Sequence, residues 1–544
     1  MKTSLKLLAL LLCLLMIVPC LAACGGGEEN KGTEATSSGE GTGTGAGSEG
    51  TGTGTESATE TETVTDYKGE VAVEEGLDKY TDLDGYTYKA YVRGPETPNG
   101  AFACEDFWVD GISTDPLAYA VYTRNSDIES AYNCKIKQVL SKQASQYDEM
   151  KNFYLNSDNY ELSIVQAMDA AACATSCLLQ DVYSLDNIKL ENTTYDKNSV
   201  EQFTMGGKLY YFSGDMNISP LDCASVTIFN TDLHEDYDFD ALINDGAASY
   251  NAPYEMVADG QWTVENMMKM AAVVNKDTDN STGVLDATMG DYVGYFQYSM
   301  SAQYYWFSCG ARLSNLTDLE DGGYPEITFN DDKGAATFNL LYENLNTQVE
   351  NPTMPIGGSG VRKSNYATGY TLFTDILLWD VRLHYYTAGY KYGILPTPKF
   401  DEAQERYFDV VWYPAGTAHL WSIPAMCANK DYASFVLNAL AVYSARPDNT
   451  MDAYYTKTLE LSVAQDAGSR ATLKIVRDNV TYDICILYDW GDFISTTLAK
   501  LAGATSNRYG DATTQDAIDR AEEEMNKTLE GFREPTLPED GAAE

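Results

Sequence analysis

Histidine is scarce in this chain. Three occur in 544 residues, His234, His384 and His419. None stands at a spacing that builds a metal site, such as the paired histidines of H-E-x-x-H. Positive charge is scarce too: 36 lysines and arginines face 81 aspartates and glutamates, a formal net charge of -45. So acidic a chain repels phosphate backbones, which argues against nucleic acid as a partner. There is no G-x-S-x-G elbow and no P-loop. Nothing marks one pair among the many carboxylates as the facing acids of a glycoside hydrolase. The expectation is a protein that is not an enzyme and carries no cofactor. Apolar runs beyond the first twenty or so residues are short and interrupted, so no later segment reads as membrane-spanning.

What is present is aromatic. The 40 tyrosines and 7 tryptophans offer flat apolar faces with polar edges, which suit sugars as well as cores. The length predicts two or more lobes. Eleven cysteines occur, three of them before residue 25. Cys173 and Cys177 stand four apart, a spacing that fits one helix face. Structural thiols or a local disulfide suit that pair better than zinc, since no second Cys or His pair completes a tetrahedral site.

The N-terminus reads as an export signal: Lys2 and Lys6, then the apolar run "LLALLLCLLMIVP". Leu21-Ala22-Ala23-Cys24 resembles the lipobox of bacterial lipoproteins. That resemblance implies a signal peptide over 1–23 and a diacylglyceryl group on Cys24. The protein would then be held on the outer face of the bacterial cell membrane, or on a periplasmic or outer-membrane face in a Gram-negative cell. Residues 24–65, rich in Gly, Thr, Ser and Glu, cannot bury enough surface to fold. As a flexible linker of some forty residues they would span about 35 Å r.m.s..

From residue 66 the composition becomes fold-like. "IKQVL", "ELSIVQA", "ASVTIFN", "KYGILPT" and "HLWSIPA" read as strands, and "QYDEMKNFYLNS" as a helix. "TVENMMKMAAVVNK" has helical spacing, with Met267, Met270, Ala271 and Val274 on one face, Thr263 as cap and Glu265 in the first turn. The alternation predicts α/β layers.

Several segments, in order, resemble the extracellular solute-binding proteins of ABC importers, in the carbohydrate-binding group that includes maltose-binding protein. They are "RNSDIESAYNCKIKQV" (Arg124–Val139), "GGKLYYFSGD" (Gly206–Asp215), "VTIFNTDL" (Val226–Leu233), "PYEMVADGQWTVENMMKMA" (Pro253–Ala271), "ATGYTLFTDILLWDVRL" with "YKYGILPTPKFDEAQ", and "GTAHLWSIPAMCANKDYASFVLNAL" (Gly416–Leu440). The resemblance implies a two-lobed, periplasmic-binding-protein-like fold of type II, with hinge strands and an interlobe cleft. The lobed body would span 66–532. Lobe 1 would comprise about 66–215 and 375–415, and lobe 2 about 216–374 and 416–532, with a polar tail over 533–544. It also implies a monomer that delivers a solute, most simply a sugar, to an ABC permease. Rival readings are a glycan-binding or sensor-linked surface protein and a glycoside hydrolase.

Sugars stack their C–H patches on aromatic faces and pair their hydroxyls with polar side chains. Trp379, ten residues after Gly369, matches the position of a sugar-stacking tryptophan in the family and leads the candidates. Tyr304 and Trp306 fall where the family has cleft aromatics. Trp108 lies in "EDFWVDG", and Trp412 and Tyr413 precede the later crossing. Asp215 and Asp222 bracket the first crossing and suit sugar hydroxyls or, equally, turn and cap chemistry. Trp262 is assigned to packing. Arg382 fits a carboxylated ligand or a surface salt bridge. "KDTDNSTGVLD" partly matches a calcium loop at Asp277, Asp279 and Ser281, but Thr282 and Thr288 replace the Gly and Glu such a loop needs.

Overall fold

The computed structural model describes residues 64–65, 71–72, 76–98, 100–239, 253–280, 283–317, 322–385 and 390–533. Cys24, the signal segment, most of the linker, Ser281 and the tail beyond 533 lie outside the described residues. Val64–Thr65 pairs antiparallel with Val71–Ala72, so strand pairing begins inside the last residues expected of the linker.

Four strands form a first sheet in the order His419–Ser422, Leu162–Gln166, Tyr86–Val92, Cys134–Leu140. The last three run parallel, and His419–Ser422 runs antiparallel to its neighbour. Parallel neighbours need crossovers, supplied here by the Pro116–Tyr132 and Gln146–Asn156 helices. Both start as local chemistry dictates. Asp115 accepts the Ala118 amide with Pro116 at the first helical position, and Ser145 accepts the Asp148 amide.

A second sheet runs Ile356–Gly357, Val293–Tyr298, Thr371–Leu377, Ser225–Asn230, Tyr392–Pro396. Its first three strands are parallel; Ser225–Asn230 is antiparallel to both neighbours. Ser225–Asn230 is buried at every residue, its polar Thr227 satisfied by the Asp375 carboxylate and Asn230 by the Gly369 carbonyl. The Val264–Val274 helix packs on this sheet with Met267, Met270, Ala271 and Val274 buried, and Thr263 accepts the Asn266 amide as its cap. Gly294 permits that approach: a Cβ there would meet the Ala271 carbonyl oxygen at 1.9 Å. Trp262 is fully buried and donates to the Pro396 carbonyl at 2.8 Å, a packing role.

The strands read from sequence form, but strand pairing redraws the lobes. Thr371–Leu377, which the expected boundary at 374/375 would split between the lobes, and Tyr392–Pro396, expected in lobe 1, both belong to the second sheet. His419–Ser422, expected in lobe 2, completes the first sheet, and the Lys430–Ala445 helix packs on the first sheet's Pro116–Tyr132 helix. The chain therefore crosses to the second sheet near Ala224 and returns before His419. At the crossing, Ala224 bridges Val411, the Trp412 amide donates to Cys223 and the Leu378 amide donates to Ala224.

The second sheet's core holds one carboxylate. Asp375 is fully buried and accepts the hydroxyls of Thr227 at 2.9 Å, Ser301 at 2.5 Å, Tyr305 at 2.8 Å and also Tyr295. Burial raises its pKa, and the four hydroxyls only partly offset that. The eight described cysteines are free thiols. Cys173 lies in the Ala167–Thr175 helix, while Cys177 lies beyond its end at φ 59°, so the pair forms neither a shared helix face nor a disulfide. No helix among the described residues is long and apolar enough to cross a membrane.

Candidate functional site

In open α/β sheets, ligands settle outside the carboxyl ends of the strands, where the loops are free to vary. The central strand of the first sheet ends at Val92 and releases the loop through 93–107. In the second sheet, Thr371–Leu377 ends in the short Leu378–Asp380 turn, followed by Val381–Tyr385. The two segments meet. The Phe102 ring packs on the Trp379 ring at 4.3 Å between centroids and a 32° tilt, and Trp379 Nε1 donates to the Ala101 carbonyl at 3.2 Å. Ala101, Phe102, Ala103, Glu105, Ile218, Ser219, Asp222, Cys223, Trp379, Arg382 and His419 line a small hollow.

Its charged rim is internally paired. Arg382 donates Nε and Nη2 to the two oxygens of Asp222 at 3.1 and 2.7 Å, and Nη1 lies 3.3 Å from Glu105. Tyr454 adds a hydroxyl donor to Asp222 at 2.9 Å. Burial opposes the Arg382 charge, but Asp222 and then Glu105 outweigh it and hold the guanidinium firmly protonated. Burial pushes the Glu105 carboxyl up, against the pull of Arg382. Behind this rim, Arg362 is fully buried, donates to Asp380 at 2.6 Å and lies 4.5 Å from the Tyr298 ring centre. One aromatic face beside a fork of charged donors and acceptors matches what a sugar ring requires. Phe102 covers that face in this conformation.

A second cavity, of about 310 Å³, opens on the other side of the Ser219–Asp222 turn. Its lining is mixed: Asp196, Asn198, Asp215, Asn217 and Arg477 face it together with Leu221, Met451 and Val480. A third, of about 480 Å³, lies in the C-terminal region among Phe338, Thr496, Lys500, Arg508 and Asp511.

The sequence candidates therefore disperse. Trp379 and Asp222 line the hollow, and Asp215 lines the second cavity. Trp306 is fully buried and stacked on Phe329 at 4.7 Å and 14°, leaving no face for a ligand in this conformation. Tyr304 is buried edge-on against Trp412 at 5.2 Å, and Tyr413 is buried beside Tyr482. Trp108 is half-buried against the main core. Arg382, weighed for a ligand carboxylate or a surface salt bridge, instead forms a largely buried two-point pair with Asp222. Asp277 and Asp279 gather with Asp291, their carboxylate oxygens within 4.8 Å of one another. Asp291 was not legible in the loop motif, because it lies beyond the motif, just before the Val293–Tyr298 strand. Phe102, Glu105 and Tyr454 carried no sequence signal; each joins the hollow through tertiary packing.

No family model matches the sequence, and no curated protein matches it. Solved structures do. A cyclo/maltodextrin-binding protein complexed with maltotetraose matches with a TM-score of 0.53 at 12% identity, covering 84% of this chain and 100% of that one. An ABC substrate-binding protein from Listeria monocytogenes in complex with cycloalternan gives 0.47 at 13% identity, over 82% and 100% of the two chains. The GacH receptor of Streptomyces glaucescens, solved unliganded and with acarbose, gives 0.46 at 12%, over 81% and 99%. At such identities likeness speaks for fold, and the first match carries it: this chain has the two-lobed α/β fold of the cyclo/maltodextrin-binding protein.

Proposed function

We propose that this protein is an extracellular solute-binding receptor, lipid-anchored through Cys24, which takes a sugar or oligosaccharide at Trp379 and delivers it to an ABC permease. The observation that carries the reading is the Trp379 face itself, set between the carboxyl ends of two sheets beside the Arg382 fork. The fold of a protein complexed with maltotetraose supports the ligand class. The lipobox-like Cys24 supports the anchor.

Binding would proceed by exchange. The ligand ring takes the place of Phe102 on Trp379, and its hydroxyls compete for Arg382, Asp222 and Glu105. Contacts from both sides of the hollow then favour the closed form, which a permease reads. The chain carries no reaction in this scheme.

A thermal-shift screen with maltotetraose, cycloalternan, acarbose and a set of peptides tests it. A true ligand at a hundred times its dissociation constant adds about 2.7 kcal/mol of stability. Stabilisation by peptides and by no carbohydrate would overturn the sugar reading, and released reducing ends would overturn the non-enzymatic one. For the anchor, Cys24→Ser should move the protein from the membrane fraction to the medium.

A further inference from the structure

Beside the hollow lies a cluster that no sequence spacing reveals. Cys104, Asp106 and His419 bring one sulfur, one carboxylate oxygen and one imidazole nitrogen within 4.8 Å of one another. Cys104 Sγ is 3.0 Å from Asp106 Oδ1, and His419 Nε2 is 3.9 Å from the same oxygen. The second distance is beyond hydrogen-bond reach. Asp106 is fully buried and His419 is 3% exposed, yet neither ring nitrogen of His419 has a hydrogen-bond partner among the described residues. His419 thus faces the Asp106 carboxylate without a hydrogen bond to it, and a buried imidazole that makes no hydrogen bond is costly and calls for an explanation.

We propose that Cys104, Asp106 and His419 form a binding site for a zinc ion. Tetrahedral zinc, with bonds of about 2.0–2.3 Å, holds its donors about 3.3–3.8 Å apart. The cluster reaches that geometry by small side-chain movements. The donor set selects the metal: thiolate and imidazole suit zinc and disfavour calcium or magnesium, which prefer oxygen alone. Three protein donors leave a fourth position for water. Loading releases the Cys104 thiol proton to solvent, because the metal takes the thiolate.

The supports around the donors are already in place. Asp106 Oδ2 accepts the Ile218 amide at 2.6 Å. The His419 amide donates to Ser219 Oγ at 3.0 Å, and its carbonyl accepts Asn217 Nδ2 at 3.0 Å. The Ile218 amide orients the Asp106 carboxylate, and the other two contacts fix the His419 backbone in its strand. The ion would tie the 101–106 loop to the returning strand at His419, fixing where Phe102 and Glu105 stand over the hollow. The inference does not rest on the ligand being a sugar, and metal binding is read without one.

Cobalt(II) added to the reduced full chain is the probe. The expected result is one cobalt per chain with thiolate-to-cobalt charge-transfer absorption, displaced by zinc, abolished in Cys104→Ser and weakened at least tenfold in His419→Gln. The Asp277, Asp279 and Asp291 cluster offers only oxygen, so cobalt held there gives no such band and persists in Cys104→Ser. A readout without mutation guards against misfolded variants. Zinc should protect Cys104 of the native chain from alkylation while half-buried Cys177 reacts with or without it. No charge-transfer band in the native chain, or equal alkylation of Cys104 with zinc and with chelator, overturns the proposal.

Discussion

Two hollows flank the Ser219–Asp222 turn, and they differ in kind. The second is the roomier, at about 310 Å³, with carboxylates and amides mixed among Leu221, Met451 and Val480. The first is nearly filled by the chain's own Phe102, yet it alone sets a tryptophan face beside a buried arginine–carboxylate fork. Between these two, volume would select the second; chemistry selects the first. A ligand that stacks needs an apolar plane more than empty space, and a plane covered by a neighbouring ring can be uncovered by exchange.

Six substitutions break or sharpen that contrast. The largest effect belongs to Arg382→Met, which strands the buried Asp222 carboxylate. It should cost about 3–5 kcal/mol in urea unfolding. Arg477→Met at the second hollow loses a contact 4.5 Å from the Tyr455 ring centre but leaves a 44% exposed Asp478 that keeps Lys474 as a partner, and should cost less, about 1–2 kcal/mol. Equal costs would erase the distinction. Next, Trp379→Ala should weaken carbohydrate binding by about 2 kcal/mol, roughly thirtyfold by calorimetry. Asp215→Asn should leave the affinity within about twofold; the reverse pattern would move the site across the turn.

A pH effect, smaller per pH unit than either of these, lies near the second hollow, whose lining includes Val480, the strand partner of Asp409. Burial raises the Asp409 pKa to about 8, with the Thr397 amide and hydroxyl pulling the other way. The folded chain thus keeps a proton that the unfolded chain releases near the ordinary pKa of about 3.9. Stability from this group is complete below that value and falls by up to about 1.4 kcal/mol per pH unit as pH rises towards 8, then levels off. Asp409→Asn should flatten that slope in denaturation curves taken at pH 5, 6 and 7, and an unchanged slope would refute the assignment. The smallest effect is Phe102→Ala. Aromatic pairs contribute about 0.5–1.5 kcal/mol, so uncovering Trp379 should tighten binding by up to about tenfold. Weaker binding would make Phe102 part of the ligand's own wall.

Local chemistry was legible in the sequence where it acts locally. Thr263 caps its helix, "ASVTIFN" becomes a fully buried strand, and Trp262 packs, each for reasons carried within a few neighbouring residues. The α/β class followed from the same signals. Sequence ranked Trp379 ahead of Trp306 but did not show that Trp306 is buried. Both follow the carboxyl end of a second-sheet strand. Phe329 and Phe493 close over one side of that neighbourhood, and Phe329 stacks on Trp306, so burial there was decided by residues far along the chain. The lobe boundaries failed for a related reason. "HLWSIPA" reads as a strand in either sheet, and only its pairing with Leu162–Gln166 assigns it. The zinc ligands were hidden because Cys104 and His419 share no local pattern at all.

The most direct test is a crystal structure of the chain with the carbohydrate that stabilises it most in the thermal-shift screen. The predicted result is a sugar ring lying on Trp379, its hydroxyls on Arg382 and the neighbouring carboxylates, and Phe102 displaced. A sugar held among Asp196, Asp215 and Arg477, with Phe102 still packed on Trp379, would contradict the assignment of the site.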